Sequence, residues 1–116
     1  MQDNCIFCKI ANGEIPTDMI YENEHVACFK DNNPQTERHF LLVPKNHYHD
    51  LIDLTENGVG DAAHLLAAIP EISKQEDFEE SGFRVINNCG KGAGQSVFHV
   101  HFHLLTDESK LRETLV

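Results

Sequence analysis

Residues 98–105 read Phe98-His99-Val100-His101-Phe102-His103-Leu104-Leu105, in which apolar residues and histidines alternate strictly up to Leu104. An extended strand has a side-chain period of two. The stretch therefore predicts a strand with Phe98, Val100, Phe102 and Leu104 on a core face and His99, His101 and His103 on the other. Rings at i, i+2 and i+4 stand about 7 Å apart along a strand, near enough to line one site. A single histidine on a strand is ordinarily only solvated, but three in register beside a glycine-rich loop need a chemical reason. Two chemistries use such a set: a zinc site, since imidazole is a common ligand, and nucleophilic catalysis by a neutral ring near its own pKa.

The rest of the chain must provide a core for this strand. Its 116 residues suit one domain, residues 1–116, and no repeat or linker-like shift in composition divides them. Hydrophobic residues at 41% and charged residues at 24% are the proportions of a globular chain. Nine Lys plus Arg against nineteen Asp plus Glu give 9 − 19 = −10. Such a charge is repelled by nucleic-acid polymers and anionic membranes, but it leaves room for a small phosphorylated ligand in a local pocket. No apolar run reaches the roughly 20 residues that span a bilayer, and the segment MQDNCIFCKI lacks a leader's basic and apolar regions. A cytoplasmic protein is the expectation.

Local pattern predicts strands at Met19–Tyr21, Val26–Phe29 and Phe40–Val43, forming a meander. A helix is predicted with Thr55 as N-cap, its face marked by Val59, Ala62, Ala63, Leu66 and Ile69, with Pro70 kinking or ending it. A fourth strand is expected at Phe83–Asn87. The loop from Asn88 to Gln95 follows, with three glycines that open backbone conformations closed to other residues.

Four cysteines in a reducing compartment do not suggest disulfides, so Cys5-x-x-Cys8 reads first as a metal or redox element. The spacing suits zinc, but a closed site needs four ligands, and an unmetallated thiol pair is the plain alternative. Cys28 and Cys89 read as a buried thiol and an incidental one. His25, His49 and His64 belong to no motif, and solvation or a local bond accounts for each.

The segment His99-Val100-His101-Phe102-His103-Leu104-Leu105 resembles the signature of the histidine triad (HIT) superfamily. The resemblance extends through Ile6–Ile10, Gly13–Pro16, His39–His47 and Gly94–Val97, covers nearly the whole chain up to Leu105, and is nearest the Hint branch. The tail from Thr106 to Val116 does not match the Hint ending. The resemblance implies an α+β, HIT-like fold with an antiparallel sheet of about five strands, a main helix packed on it, and a homodimer. It also implies a nucleotide hydrolase that cleaves the P–N bond of purine nucleoside phosphoramidates through a covalent nucleotidyl-histidine. Alternatives are a dinucleoside polyphosphate hydrolase and a nucleotide-binding regulatory module. By resemblance His101 is the nucleophile, His103 contacts phosphate oxygens, His39 completes the cluster, and Ser96 serves the amine leaving group. Gly94 and Asn88 would face phosphate, with Asn87 the lesser candidate. Asp31 would hold the ribose hydroxyls, and Asn32, Phe7 and Phe29 would lie near the base, although Phe7 and Phe29 could equally be core. The resemblance also closes a structural Zn2+ site, one per subunit, from Cys5, Cys8, His47 and His99.

Overall fold

The computed structural model describes residues 4–106; the non-matching tail beyond Thr106 lies outside them. Along the chain come α1 (Ile6–Ala11), β1 (Met19–Glu22), β2 (Val26–Lys30), β3 (Arg38–Pro44), α2 (Leu51–Asn57), α3 (Val59–Glu76), β4 (Arg84–Ile86), a 3-10 turn at Lys91–Ala93, and β5 (Phe102–Thr106). The strands form one antiparallel sheet in the order β1-β2-β3-β5-β4. The fold is α+β, as the sequence implied.

Phe40-Leu41-Leu42-Val43 is apolar at every position, so the strand it forms needs cover on both faces. Phe40 and Leu42 join Val26 and Cys28 of β2, Leu65, Ala68 and Ile72 of α3, and Val100 and Leu104 in one core. Leu41 and Val43 join Ala27 and Phe29 of β2 in a second core, closed by Phe7, Cys8, Ile10 and Ala11 of α1. The sheet thus carries the long helix on one face and α1 on the other. On β3 and β5, His39 and His103 share the α1 face with Leu41 and Leu105, set two residues away from them.

Three expectations are corrected. The helix expected to begin after Thr55 is preceded by α2, which starts at Leu51 and contains Thr55. Asp50 is the N-cap of α2, accepting from the Asp53 amide at 2.9 Å, and Gly58 separates it from α3. Of the two outcomes expected at Pro70, ending the helix is overturned, since the residue lies inside α3. Proline removes the amide that would bond the Leu66 carbonyl, and Leu66 is on the solvent side, where water can take that role. The buried face of α3 is Leu65, Ala68 and Ile72, with the expected Ala62 and Ile69 packed beside it, whereas Val59 and Leu66 are 72% and 62% exposed. Helical spacing alone could not separate these two stripes.

The histidine strand is also shorter than its alternation implied. β5 begins at Phe102, and Phe98 is exposed rather than core. Residues 98–101 leave the ladder because other groups take their backbone: the Val100 amide donates to the Tyr48 carbonyl at 2.8 Å, and Asn87 Nδ2 donates to the His101 carbonyl at 2.9 Å. His99, Val100 and His101 are consequently all buried. Among the described residues, no helix is long and apolar enough to cross a membrane.

Candidate active site

Hydrogen bonds fix the tautomers of the three histidines at the cavity, His39, His101 and His103. The Gln35 amide donates to His39 Nδ1 at 2.9 Å, which places the His39 proton on Nε2. His39 Nε2 lies 2.8 Å from His103 Nδ1 and 3.4 Å from Asp31 Oδ2, so it donates to His103 beside a carboxylate. His103 Nδ1 is then an acceptor and its proton sits on Nε2. His101 runs the other way: its Nδ1 donates to the His99 carbonyl at 2.9 Å, which leaves the Nε2 lone pair unprotonated. The outcome is one ring offering a lone pair beside another offering an N–H, their centroids 5.1 Å apart.

Burial disfavours the charged forms of His39 and His103. Burial, followed by the neighbouring His101 and His39, pushes His103 down to about 4, with Asp31 opposing. Burial also lowers His39, again against Asp31.

A cavity of about 280 Å3 opens onto these rings, near the lower end of the usual range for small-ligand sites. Phe7, Phe29, Asp31, Asn32, His101 and His103 line it, joined by Ser96. Phe7 and Phe29 meet edge to face at 5.6 Å, and Phe7 stands at 87° to the His101 ring, so both phenylalanines are core and wall at once. Asp31 is fixed by the Asn33 amide, which donates to Oδ1 at 2.8 Å, leaving Oδ2 toward the histidines. Gly94 and Asn88 are not among the residues lining the cavity. Gly94 adopts φ +93 in the loop, and Asn87, not Asn88, clamps the His101 carbonyl.

Sequence reasoning gave no role to Gln35, Gln95 or Lys30. Gln35 acts through its backbone amide, which carries no side-chain signal. Gln95 is 4% exposed. Its side chain donates to the His49 and Val97 carbonyls at 2.8 and 3.1 Å and accepts from the Gly90 amide at 2.8 Å, closing the glycine loop on itself. Lys30 lines the cavity and is the one Lys or Arg there among the described residues. A second cavity, of about 600 Å3, adjoins the first through Ile6, Ser96 and Val97, and is also lined by His49, Asp53 and Phe98.

Below the histidines the two N-terminal cysteines meet two imidazoles. Cys5 Sγ and Cys8 Sγ each lie 3.3 Å from His99 Nδ1, and Cys8 Sγ lies 3.3 Å from His47 Nδ1. Around a tetrahedral zinc with Zn–S of about 2.3 Å and Zn–N of about 2.0 Å, sulfur and nitrogen stand about 3.5 Å apart, so the spacing fits. His99 Nε2 donates to the Pro44 carbonyl at 2.8 Å, which directs the free Nδ1 at the thiols as a metal's outer partners do. All four ligand atoms lie within 4.8 Å of one another. Burial pushes His99 to about 4 and lowers His47, so both are neutral donors. Burial, and then the charge of Glu76, pushes the Cys28 thiol up to about 12, which makes it inert.

Comparison with known proteins gives this geometry its family. The HIT domain pattern matches residues 12–110. The chain belongs to the HIT domain family. It is 43% identical over 103 residues to Protein HitA of Neisseria gonorrhoeae, covering 89% of this chain and 95% of that one. It is 33% identical over 105 residues to the purine nucleoside phosphoramidase of Escherichia coli, covering 90% of this chain and 88% of that one. A histidine triad protein from Clostridium difficile superposes with a TM-score of 0.87 at 47% identity, covering 92% of this chain and 93% of the other. The five-stranded sheet is therefore the HIT fold.

Proposed function

We propose that this HIT protein hydrolyses purine nucleoside phosphoramidates through a nucleotidyl-His101 intermediate. The observation that carries the reading is the pair of opposed tautomers: His101 with a free Nε2 and His103 with an Nε2–H, on one cavity wall. In the first step the His101 Nε2 lone pair forms a bond to the α-phosphorus and the P–N bond to the amine breaks. The amine leaves with a proton delivered through the Ser96 hydroxyl. Water then attacks phosphorus, the N–P bond to His101 breaks, and the water's proton replaces the one lost. While the adduct exists the ring is cationic, and the His99 carbonyl accepting from Nδ1 at 2.9 Å stabilises it. His103 Nε2–H donates to the phosphate oxygens as their charge grows, with Gly94 and Asn88 at the phosphate side. Asp31 holds the ribose hydroxyls, and Asn32, Phe7 and Phe29 lie near the base, with the two phenylalanines forming one wall of the cavity. The reading is favoured by the relative that is a purine nucleoside phosphoramidase.

Cys5, Cys8, His47 and His99 would hold zinc, which on this reading contributes structure by fastening α1 to the strand that carries His101. We also infer a homodimer. Val59 and Leu66 on α3 and Val85 on β4, at the sheet edge, are exposed apolar groups outside either core. Sedimentation at low micromolar concentration should give a single dimeric species; an active monomer overturns that part.

The test of activity is intact-mass spectrometry after brief mixing with an adenosine phosphoramidate. One adenylyl group per chain is expected in the wild type and none in His101→Asn. Equal turnover by the folded variant would remove His101 as nucleophile. Adduct formation from a dinucleoside polyphosphate but not from the phosphoramidate would move the reading to the P–O–P bond.

A further inference from the structure

The histidines without a motif do not all stand alone. His25 closes the turn between β1 and β2, where its amide donates to Asn23 Oδ1 at 2.8 Å and its carbonyl accepts from the Lys45 amide at 2.9 Å. Its backbone is therefore fixed from both sides. Asp61 and His64 lie three residues apart near the start of α3, a spacing that puts both side chains on one helix face. The His25 and His64 rings lie parallel, 3° apart in plane, with centroids 3.6 Å apart. Asp61 joins them, and one ligand atom from each of the three lies within 4.8 Å of the others.

We propose that His25, Asp61 and His64 form a second, solvent-facing divalent metal site, selective for borderline ions of the zinc class. The donor set sets the class. Two imidazoles and one carboxylate suit zinc, cobalt, nickel or copper, whereas magnesium and calcium take oxygen ligands almost alone. Asp61 is already held as a ligand would be: its Oδ2 accepts from Tyr48 Oη at 2.7 Å and from Asn46 Nδ2 at 3.0 Å. Such outer partners orient a carboxylate and leave its other oxygen for the ion. Ligand atoms around one zinc stand about 3–4 Å apart, so a pair at the 4.8 Å limit must close by about 1–2 Å. Parallel rings have no in-plane point in common, so binding requires the His64 ring to tilt about its last side-chain bond and open the stack at one edge. None of the three residues is buried, so the ion has an entry path and coordination positions remain for water.

The site is separate from the cysteine-containing cluster. His47 faces that cluster while its neighbours Asn46 and Tyr48 face Asp61, so the two share a chain segment but no ligand. Bound there, an ion would tie the β1–β2 turn to α3, and binding to the folded state alone raises thermal stability with metal concentration.

The test is titration of the full chain with zinc chloride, followed by calorimetry and by the ring 1H–15N signals of the histidines. One equivalent that moves the His25 and His64 signals is expected, together with a rise in melting temperature. His64→Ala should weaken that equivalent at least tenfold and remove the rise, and Asp61→Asn should weaken it while keeping both rings. These signals report the site whatever the state of Cys5 and Cys8 and whatever the activity on nucleotides. Zinc that leaves both rings unmoved, or an equivalent that survives in folded His64→Ala with unchanged affinity, overturns the proposal.

Discussion

If His39 acts by setting the His103 proton, removing its ring should change where that proton sits. The His39 Nε2–H to His103 Nδ1 bond, 2.8 Å long, is a hydrogen bond between neutral groups. Such a bond is worth about 0.5–1.5 kcal/mol net. At about 1.4 kcal/mol per factor of ten, its loss in His39→Ala lets the His103 tautomers re-equilibrate by about two- to tenfold. The donor facing the cavity is depleted, and kcat/KM on the proposed phosphoramidate should fall by a similar factor. His39→Ala also leaves the Gln35 amide without its acceptor, so stability should drop by about 1–3 kcal/mol. His39→Gln separates the two effects, because its side-chain N–H can replace Nε2–H without restoring the acceptor to Gln35. Two-bond 1H–15N spectra read the His103 tautomer directly, beside steady-state rates and melting temperature. If folded His39→Ala keeps both the Nε2–H tautomer and the wild-type rate, the relay from Gln35 through His39 to His103 is refuted.

Burial holds His103 at about 4 and lowers His39, below the usual 6.5, so the folded chain binds fewer protons than the unfolded one. Stability should therefore be intact above about pH 6.5 and be lost as pH falls toward 4, a slope that His103→Gln should flatten in urea titrations; a pH-independent midpoint would contradict it. Cys8→Ser should release the proposed zinc and lower the melting temperature by several degrees, measured by metal analysis and calorimetry; retention of a full equivalent would count against that ligand set. A Cβ added at Gly58 would stand 2.3 Å from Tyr48 Cζ, and Tyr48 is held by Asp61, so Gly58→Ala should cost about 1–3 kcal/mol by denaturant unfolding. Gly60→Ala meets nothing within 4 Å and serves as the control.

The parts of this molecule that were legible in its sequence are those that local pattern encodes. Phe40–Val43 is a run of apolar residues that only a strand covered on both faces can bury, and it lies in β3 as expected. The HIT resemblance rested on the spacing of His99, His101 and His103, and family comparison bears it out. What stayed hidden depended on partners far away in the chain. α1 has only six residues, too short to show a period, and its burial rests on β2 and β3. The alternation at 98–105 spoke for side-chain faces but not for the backbone, whose bonds to Tyr48 and Asn87 end the strand early. Asn87 and Asn88 could be ranked only by counting, and the contact of Asn87 with the His101 carbonyl is a tertiary fact. The pairing of His25 with His64 joins a turn to a helix and has no linear signature.

The contacts between Cys5 and His99 span 94 positions. Chains are synthesised at about 5–20 residues per second, so roughly 5–20 s separate the appearance of the first thiol from that of its imidazole. Throughout that interval Cys5 and Cys8 lack the imidazole they meet in the folded chain. His47, 39 positions after Cys8, arrives first and can hold the thiols only in part. The region around His101 is thus among the last pieces of the molecule to assemble, and a chain stalled before residue 99 carries a reactive thiol pair with no site to enter.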